Sequence, residues 1–201
     1  MNRPPKDAGR QLGRREQILE ELVGIYASEG FAHLSLEELT ARLHCSRSTI
    51  YSLGRSRPLL DVTVIQHLFQ KARGRVIALS AREQEATDRL RVFLQALPAE
   101  AGRVSRACFR DMMSSPATSL AYHDSINETV EVIRTLIDEG ITSGQFRPVH
   151  GAFVGETIAA IVRDIEWGDI RERTGLSHEE AYAEMSSLML GALANTQDPV
   201  H

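Results

Sequence analysis

The chain has 201 residues, of which 42% are hydrophobic and 25% charged, with a formal net charge of −4 at pH 7. These values are typical of a globular protein and exclude a disordered chain. No apolar run approaches the ~20 residues of a membrane span, and the polar, basic first residues do not resemble a secretory signal. We expect a cytoplasmic protein without a membrane partner, in which Cys45 and Cys108 are buried apolar residues and form no disulfide.

Charge is distributed unevenly along the chain. Residues 1–75 contain 12 Lys/Arg and 8 Asp/Glu, whereas residues 76–201 contain 11 and 19. A basic first third on an acidic remainder favours a protein that presents only one surface to nucleic-acid phosphates.

Helical periodicity begins near residue 14, where apolar residues recur at spacings of three and four up to Tyr26. Gly30 is typical of a helix C-terminus. Ser35 and Glu38 form a capping-box pattern that predicts a short helix over 36–43. Ser46 can cap a third helix.

Ser56 and Pro58 can start a fourth helix, and longer helices follow. The predicted segments are 57–80, 85–97, 99–113, 117–143, 149–172 and 178–194. Pro98 is expected to break the second from the third. We find no alternating strand pattern, so the predicted fold class is all-α.

These elements predict an N-terminal three-helix, helix-turn-helix DNA-binding domain and a larger helical domain for ligand binding and dimerisation. The predicted parts are a flexible basic arm (1–13), the helix-turn-helix domain (14–58), the effector-binding and dimerisation domain (59–195) and a tail (196–201).

The helix-turn-helix prediction rests on residues 35–60. Leu39, Leu43, Cys45 and Ile50 can fix the angle between two short helices. The residues left on the outer face suit contacts with base edges and phosphates in a major groove: Ser46, Arg47, Ser48, Thr49 and Tyr51. A three-helix scaffold that only packs, or that binds protein, is the alternative.

The run CSRSTIYSLGRSRPLL (45–60) resembles the TetR family of transcriptional regulators. That resemblance implies that Ser46, Arg47, Ser48, Thr49 and Tyr51 face DNA and that Arg57 contacts its backbone. Three positions depart from the family pattern: His44 replaces the turn glycine, and Leu53-Gly54 follow where a polar or aromatic pair is usual. His tolerates positive φ better than most residues. Leu53-Gly54 therefore predict a looser end for the helix that begins at Ser46.

The last two long helices carry apolar stripes that predict a homodimer interface, as the resemblance also implies. The residues are Phe153, Ile158, Val162, Ile165, Tyr182, Met185, Leu188 and Met189. Such stripes also form the core of a single chain.

A ligand pocket is predicted between the helices of 85–172. Its candidate lining residues are Phe93, Leu97, Phe109, Met112, Met113, Tyr122 and Trp167. Each of them also suits a plain core. Arg103, Arg106 and Arg110 share a helix face that could meet an anionic effector or pair with Glu100 or Asp111.

No motif of a known catalytic or nucleotide-binding site is present, and the seven histidines show no metal-ligand spacing. We expect no enzyme, no cofactor and no metal. The sequence predicts a ligand-responsive regulator, a repressor released from double-stranded operator DNA by a small-molecule effector. The alternative is a helical ligand-binding or structural protein that has lost specific DNA binding.

Overall fold

The computed structural model describes the backbone of residues 6–195 and the side chains of residues 13–195. Within that range the chain forms ten helices, and the only β-structure is an isolated bridge between Phe146 and Ala194. The helices are α1 (Lys6–Glu29), α2 (Leu36–Arg42), α3 (Arg47–Tyr51), α4 (Arg57–Ser80), α5 (Ala86–Ala101), α6 (Arg106–Ser114), α7 (Pro116–Thr142), α8 (Gly151–Trp167), α9 (Asp169–Thr174) and α10 (His178–Leu193). The predicted all-α class is confirmed.

The expected break at Pro98 is wrong, because α5 continues through this residue. The proline ring removes the backbone donor of residue 98. Helical hydrogen bonding nevertheless continues beyond it, because the Gly102 N–H donates to the Pro98 carbonyl at 2.9 Å. Glu100 in the last turn forms a bidentate ion pair with Arg75 of α4, with 2.9 Å between Nε and Oε1. The chain leaves the helix after Ala101 instead.

The predicted helix over 149–172 is two helices. Gly168 has φ +89, the left-handed conformation that ends a helix, and separates α8 from α9. A glycine inside a periodic pattern gives no indication of its φ, so the sequence did not reveal this break.

The first helix begins at Lys6, within the segment predicted as a flexible arm. Residues 1–5 of that arm and the predicted tail 196–201 lie outside the described residues.

The described chain divides into two compact units, 6–71 with 103–123 and 72–102 with 124–195. This division does not follow the predicted chain order, because α6 and the start of α7 belong to the first unit. Cys108 and Met112 on α6 are fully buried in the same apolar core as Ile18 and Leu22 of α1. Residues near α6 give no indication that this helix packs against α1, which lies about 80 residues earlier in the chain.

The second unit has its own core, formed by α5, α8, α10 and parts of α4 and α7 around Phe93, Ile137 and Tyr182. Phe146 packs so closely on α7 that a Cβ on Gly140 would lie 2.1 Å from its ring. Among residues 6–195, no helix is both long and apolar enough to cross a membrane.

Candidate nucleic-acid interface

Both short helices of the N-terminal unit begin at serine caps. The Ser35 hydroxyl accepts from the Glu38 N–H at 3.2 Å, and the Glu38 carboxylate accepts from the Ser35 N–H at 2.7 Å. The bond from the Ser35 backbone N–H, and after it the Ser35 side chain, lower the pKa of Glu38. The Ser46 hydroxyl accepts from the Thr49 N–H at 3.1 Å. The predicted caps are therefore confirmed, and they fix where α2 and α3 start.

The turn between α2 and α3 is tight and passes through His44, whose φ is +46. Among the described non-glycine residues, His44 alone has a positive φ. The Arg14 side chain of α1 donates to the Leu43 carbonyl at 3.1 Å and satisfies an acceptor at the end of α2. His44 thus adopts the positive φ that a glycine would adopt at this turn.

Apolar side chains on the inner faces fix the angle between α2 and α3. Leu39, Leu43 and Ile50 are buried at 0%, 2% and 0% exposure and belong to the core of the first unit. Cys45 is partly buried against the same core. The residues predicted to fix the angle do lie there.

The opposite face of α3 is polar and open to solvent. Ser46, Arg47, Ser48 and Tyr51 are exposed, and Thr49 is half-buried. The Ser46 hydroxyl lies 2.7 Å from the Ser48 hydroxyl and 2.9 Å from the Thr49 hydroxyl. The structure therefore brings all five side chains to one turn of helix, as hydrogen-bonding groups that suit bases and phosphates.

Arg47 forms an ion pair with Glu37 on the first turn of α2, made through Nη2 and Oε1. Both side chains are more than 60% exposed. The sequence did not predict this pair, since its members are ten residues apart on different helices.

The structure places Arg57 in a different setting from the exposed residues of α3. Its guanidinium is half-buried, lies 2.8 Å from Asp61 Oδ1 and donates to the carbonyls of Phe31 (2.6 Å) and Leu34. Arg57 thus ties the start of α4 to the loop between α1 and α2, a structural role that sequence reasoning missed.

The unusual pair Leu53-Gly54 has a packing explanation. Leu53 is 6% exposed and belongs to the core of the first unit. At Gly54 a Cβ would lie 2.3 Å from the backbone nitrogen of Leu60 and 2.7 Å from the carbonyl carbon of Leu59. Glycine at this position lets the end of α3 approach the first turn of α4.

A second contact that sequence reasoning missed joins α6 to the end of α1. Asp111 Oδ2 accepts from the backbone N–H groups of Phe31 at 2.7 Å and Ala32 at 2.9 Å. Gly30 has φ +82, and a Cβ there would lie 2.6 Å from the same oxygen. The signal for Gly30 was its C-cap pattern; nothing local pointed to Asp111.

The residues predicted for a dimer interface fall into two groups. Ile158, Ile165, Tyr182 and Met185 are buried in the core of the second unit, and Val162 and Met189 are partly buried against it. Phe153 on α8 and Leu188 on α10 are 70% and 65% exposed. Those two are available for contact with another chain.

The residues predicted for a pocket belong to both units. Phe109, Met112, Met113 and Tyr122 lie in the first unit, where the rings of Phe109 and Tyr122 meet edge-on at 5.5 Å. Phe93 and Leu97 lie in the second unit, in or against its core. Trp167 ends α8 and is 58% exposed.

No group of three potential metal ligands occurs among the described side chains. Burial raises the pKa of the Cys45 thiol. Burial, and then the charge of Asp111, raise the pKa of Cys108 to about 12. Both thiols are therefore protonated at neutral pH, consistent with the expected packing role.

No protein-family model and no curated protein matches the sequence. The fold matches many solved chains. A TetR transcription regulator from Haloarcula marismortui is 17% identical, with a TM-score of 0.73 over 91% of this chain and 99% of that one. A TetR-family regulator from Agrobacterium tumefaciens is 12% identical, with a TM-score of 0.67 over 92% and 100%.

A protein from Saccharomonospora viridis, solved in complex with choline, is 17% identical, with a TM-score of 0.70 over 90% of this chain and 97% of that one. The likeness in each case spans both compact units. The chain therefore has the fold of the TetR-family transcriptional regulators.

Proposed function

We infer that this protein is a ligand-responsive transcriptional regulator that binds double-stranded operator DNA through α3. The observation that carries this proposal is the exposed polar face of α3, held by a capped and tightly packed pair of helices. Ser46, Arg47, Ser48, Thr49 and Tyr51 present donors and acceptors to solvent from one turn of helix. Such a surface suits the major groove, which offers distinct patterns at each base pair.

The working unit in this proposal is a homodimer. A recognition helix of five residues contacts few bases, so specific binding requires two copies at half-sites about one DNA turn (~34 Å) apart. The second unit leaves Phe153, Trp167 and Leu188 as its most exposed large apolar side chains. We assign these residues of α8 and α10 to the dimer interface, which moves Trp167 from the predicted pocket to this surface.

The helices outside the DNA-binding part are proposed to bind a small-molecule effector. The Saccharomonospora viridis protein of the same fold was solved with choline, which supports a ligand-binding role for this fold. An effector that binds better to a state with a different separation of the two α3 helices lowers operator affinity by that difference in binding free energy. We propose that the protein is a cytoplasmic repressor, which this coupling releases from its operator when the effector binds.

The test is selection of binding sites from a random-sequence duplex library with the purified protein. We expect enrichment of a two-fold symmetric sequence, bound by two protomers, with an affinity that falls steeply between about 50 and 200 mM salt. A folded, dimeric protein that enriches no sequence would contradict the proposal and favour a helical ligand-binding protein without DNA specificity.

A further inference from the structure

The recognition face of α3 contains one charged side chain, Arg47, and that charge is matched by Glu37 on the neighbouring helix. Both groups are open to solvent, at 61% and 64% exposure. The pair therefore lies on the surface that the proposed function presents to DNA.

Arg47 can contact a guanine edge or a backbone phosphate, and these two groups of DNA interact differently with the nearby Glu37 carboxylate. A guanine edge offers neutral acceptors, O6 and N7, and a guanidinium has five N–H donors. Because the pair uses Nη2 of Arg47, the remaining donors allow an approach to guanine that keeps Glu37 in place. A phosphate competes directly with the carboxylate for the guanidinium and repels it.

We propose that Glu37 is a specificity-determining residue, which restrains Arg47 from binding phosphates while leaving it able to read a guanine. This inference rests on the proposed function. Glu37 weakens the binding of Arg47 to phosphates more than its binding to guanine, and this difference raises the ratio of specific to nonspecific affinity.

The experiment compares the wild type with Glu37→Gln on a random-sequence duplex and on the selected site, by fluorescence anisotropy over a range of salt. Exposed ion pairs are worth little, so we expect about two- to fivefold tighter binding of random DNA by the variant. The slope of log K against log salt should steepen by about 0.9, for one further phosphate contact. Affinity for the selected site should change less, so the specificity ratio falls.

Two controls separate this effect from a change in net charge. Asp164→Asn removes the same charge from an exposed ion pair in the second unit, with Arg173 at 2.7 Å, and should leave DNA binding unchanged. The double variant Glu37→Gln/Arg47→Ala should lose the gain, because Glu37 acts through Arg47. Thermal unfolding checks that each variant is folded.

Equal binding of random DNA by Glu37→Gln and Asp164→Asn would overturn the inference, as would a gain that persists without Arg47. Either result leaves the proposed function intact, since the wild type still binds DNA. A wild type that shows no salt-dependent DNA binding would instead overturn the proposed function, and this inference with it.

Discussion

Arg57 and Asp61 face each other across one turn of α4, with 2.8 Å between Nε and Oδ1. The Tyr26 hydroxyl donates to the same oxygen at 2.7 Å. Burial, together with the nearby Asp61 charge, raises the pKa of Tyr26, so the phenol remains a donor throughout the physiological range. This cluster joins α1 to α4, and through the Phe31 carbonyl it also holds the loop that leads into α2.

Removing Arg57 should destabilise the first unit. Arg57→Ala removes the charged partner of the Asp61 carboxylate, which keeps its bond from the Tyr26 hydroxyl, and removes a donor from the carbonyls of Phe31 and Leu34. We expect a loss of about 2 kcal/mol in the free energy of unfolding. Urea denaturation measures this loss. Arg55→Ala, an exposed arginine two residues earlier, should change stability by less than about 0.5 kcal/mol. Equal stability of the two variants would refute the structural role of Arg57.

Gly54 and Gly24 should respond to alanine with opposite signs. Gly54→Ala forces a Cβ into the backbone of Leu60 at 2.3 Å, and we expect a loss of about 2 kcal/mol or more. Gly24 is exposed inside α1 with nothing within 4 Å of a Cβ, so alanine there should stabilise by about 0.5–1 kcal/mol. Thermal unfolding of both variants tests the close approach of α3 to α4; a Gly54→Ala protein as stable as the wild type would argue against it.

The two cysteines should react slowly in the native protein. Burial holds the pKa of Cys108 at about 12 and raises that of Cys45, and only the thiolate is nucleophilic. At pH 8 we expect slow alkylation by iodoacetamide in buffer and fast alkylation in denaturing urea, measured by mass spectrometry. Native alkylation of Cys45 as fast as in urea would contradict its partly buried, protonated state.

The proposed dimer should depend on the exposed residues of α8 and α10. Leu188→Glu places one charge from each protomer in the interface. We expect the dissociation constant of the dimer to rise at least about tenfold, measured by analytical ultracentrifugation. Leu79→Glu is the matched control, since Leu79 is a 40% exposed leucine of the same unit on α4. A dimer that both variants leave intact would place the interface elsewhere.

The sequence predicted those parts of the fold that nearby side chains indicate. The caps at Ser35 and Ser46 and the start of α4 follow from side chains within four residues of each position. The positive φ of His44 is expected only from the family resemblance, which places a glycine at this turn. The outward face of α3 could be found because a helix of one turn has few ways to bury Ile50.

Contacts between distant segments could not be predicted in this way. Asp111 meets Phe31 across 80 residues, and Arg57 meets the Leu34 carbonyl across 23. An exposed arginine and a half-buried one look alike in a single sequence. The assignment of α6 to the first unit, and of Ile158 and Tyr182 to a core, likewise depends on packing that only the structure gives.

The most direct test of the central claim is the affinity of wild type and Arg47→Ala for the selected duplex and for a scrambled duplex, by anisotropy at one salt concentration. If Arg47 reads a base, the variant should lose about ten- to hundredfold on the selected duplex, equivalent to ~1–3 kcal/mol, and little on the scrambled one. Wild-type protein that does not distinguish the two duplexes, or an Arg47→Ala variant that binds the selected one as tightly, would contradict recognition of DNA by α3.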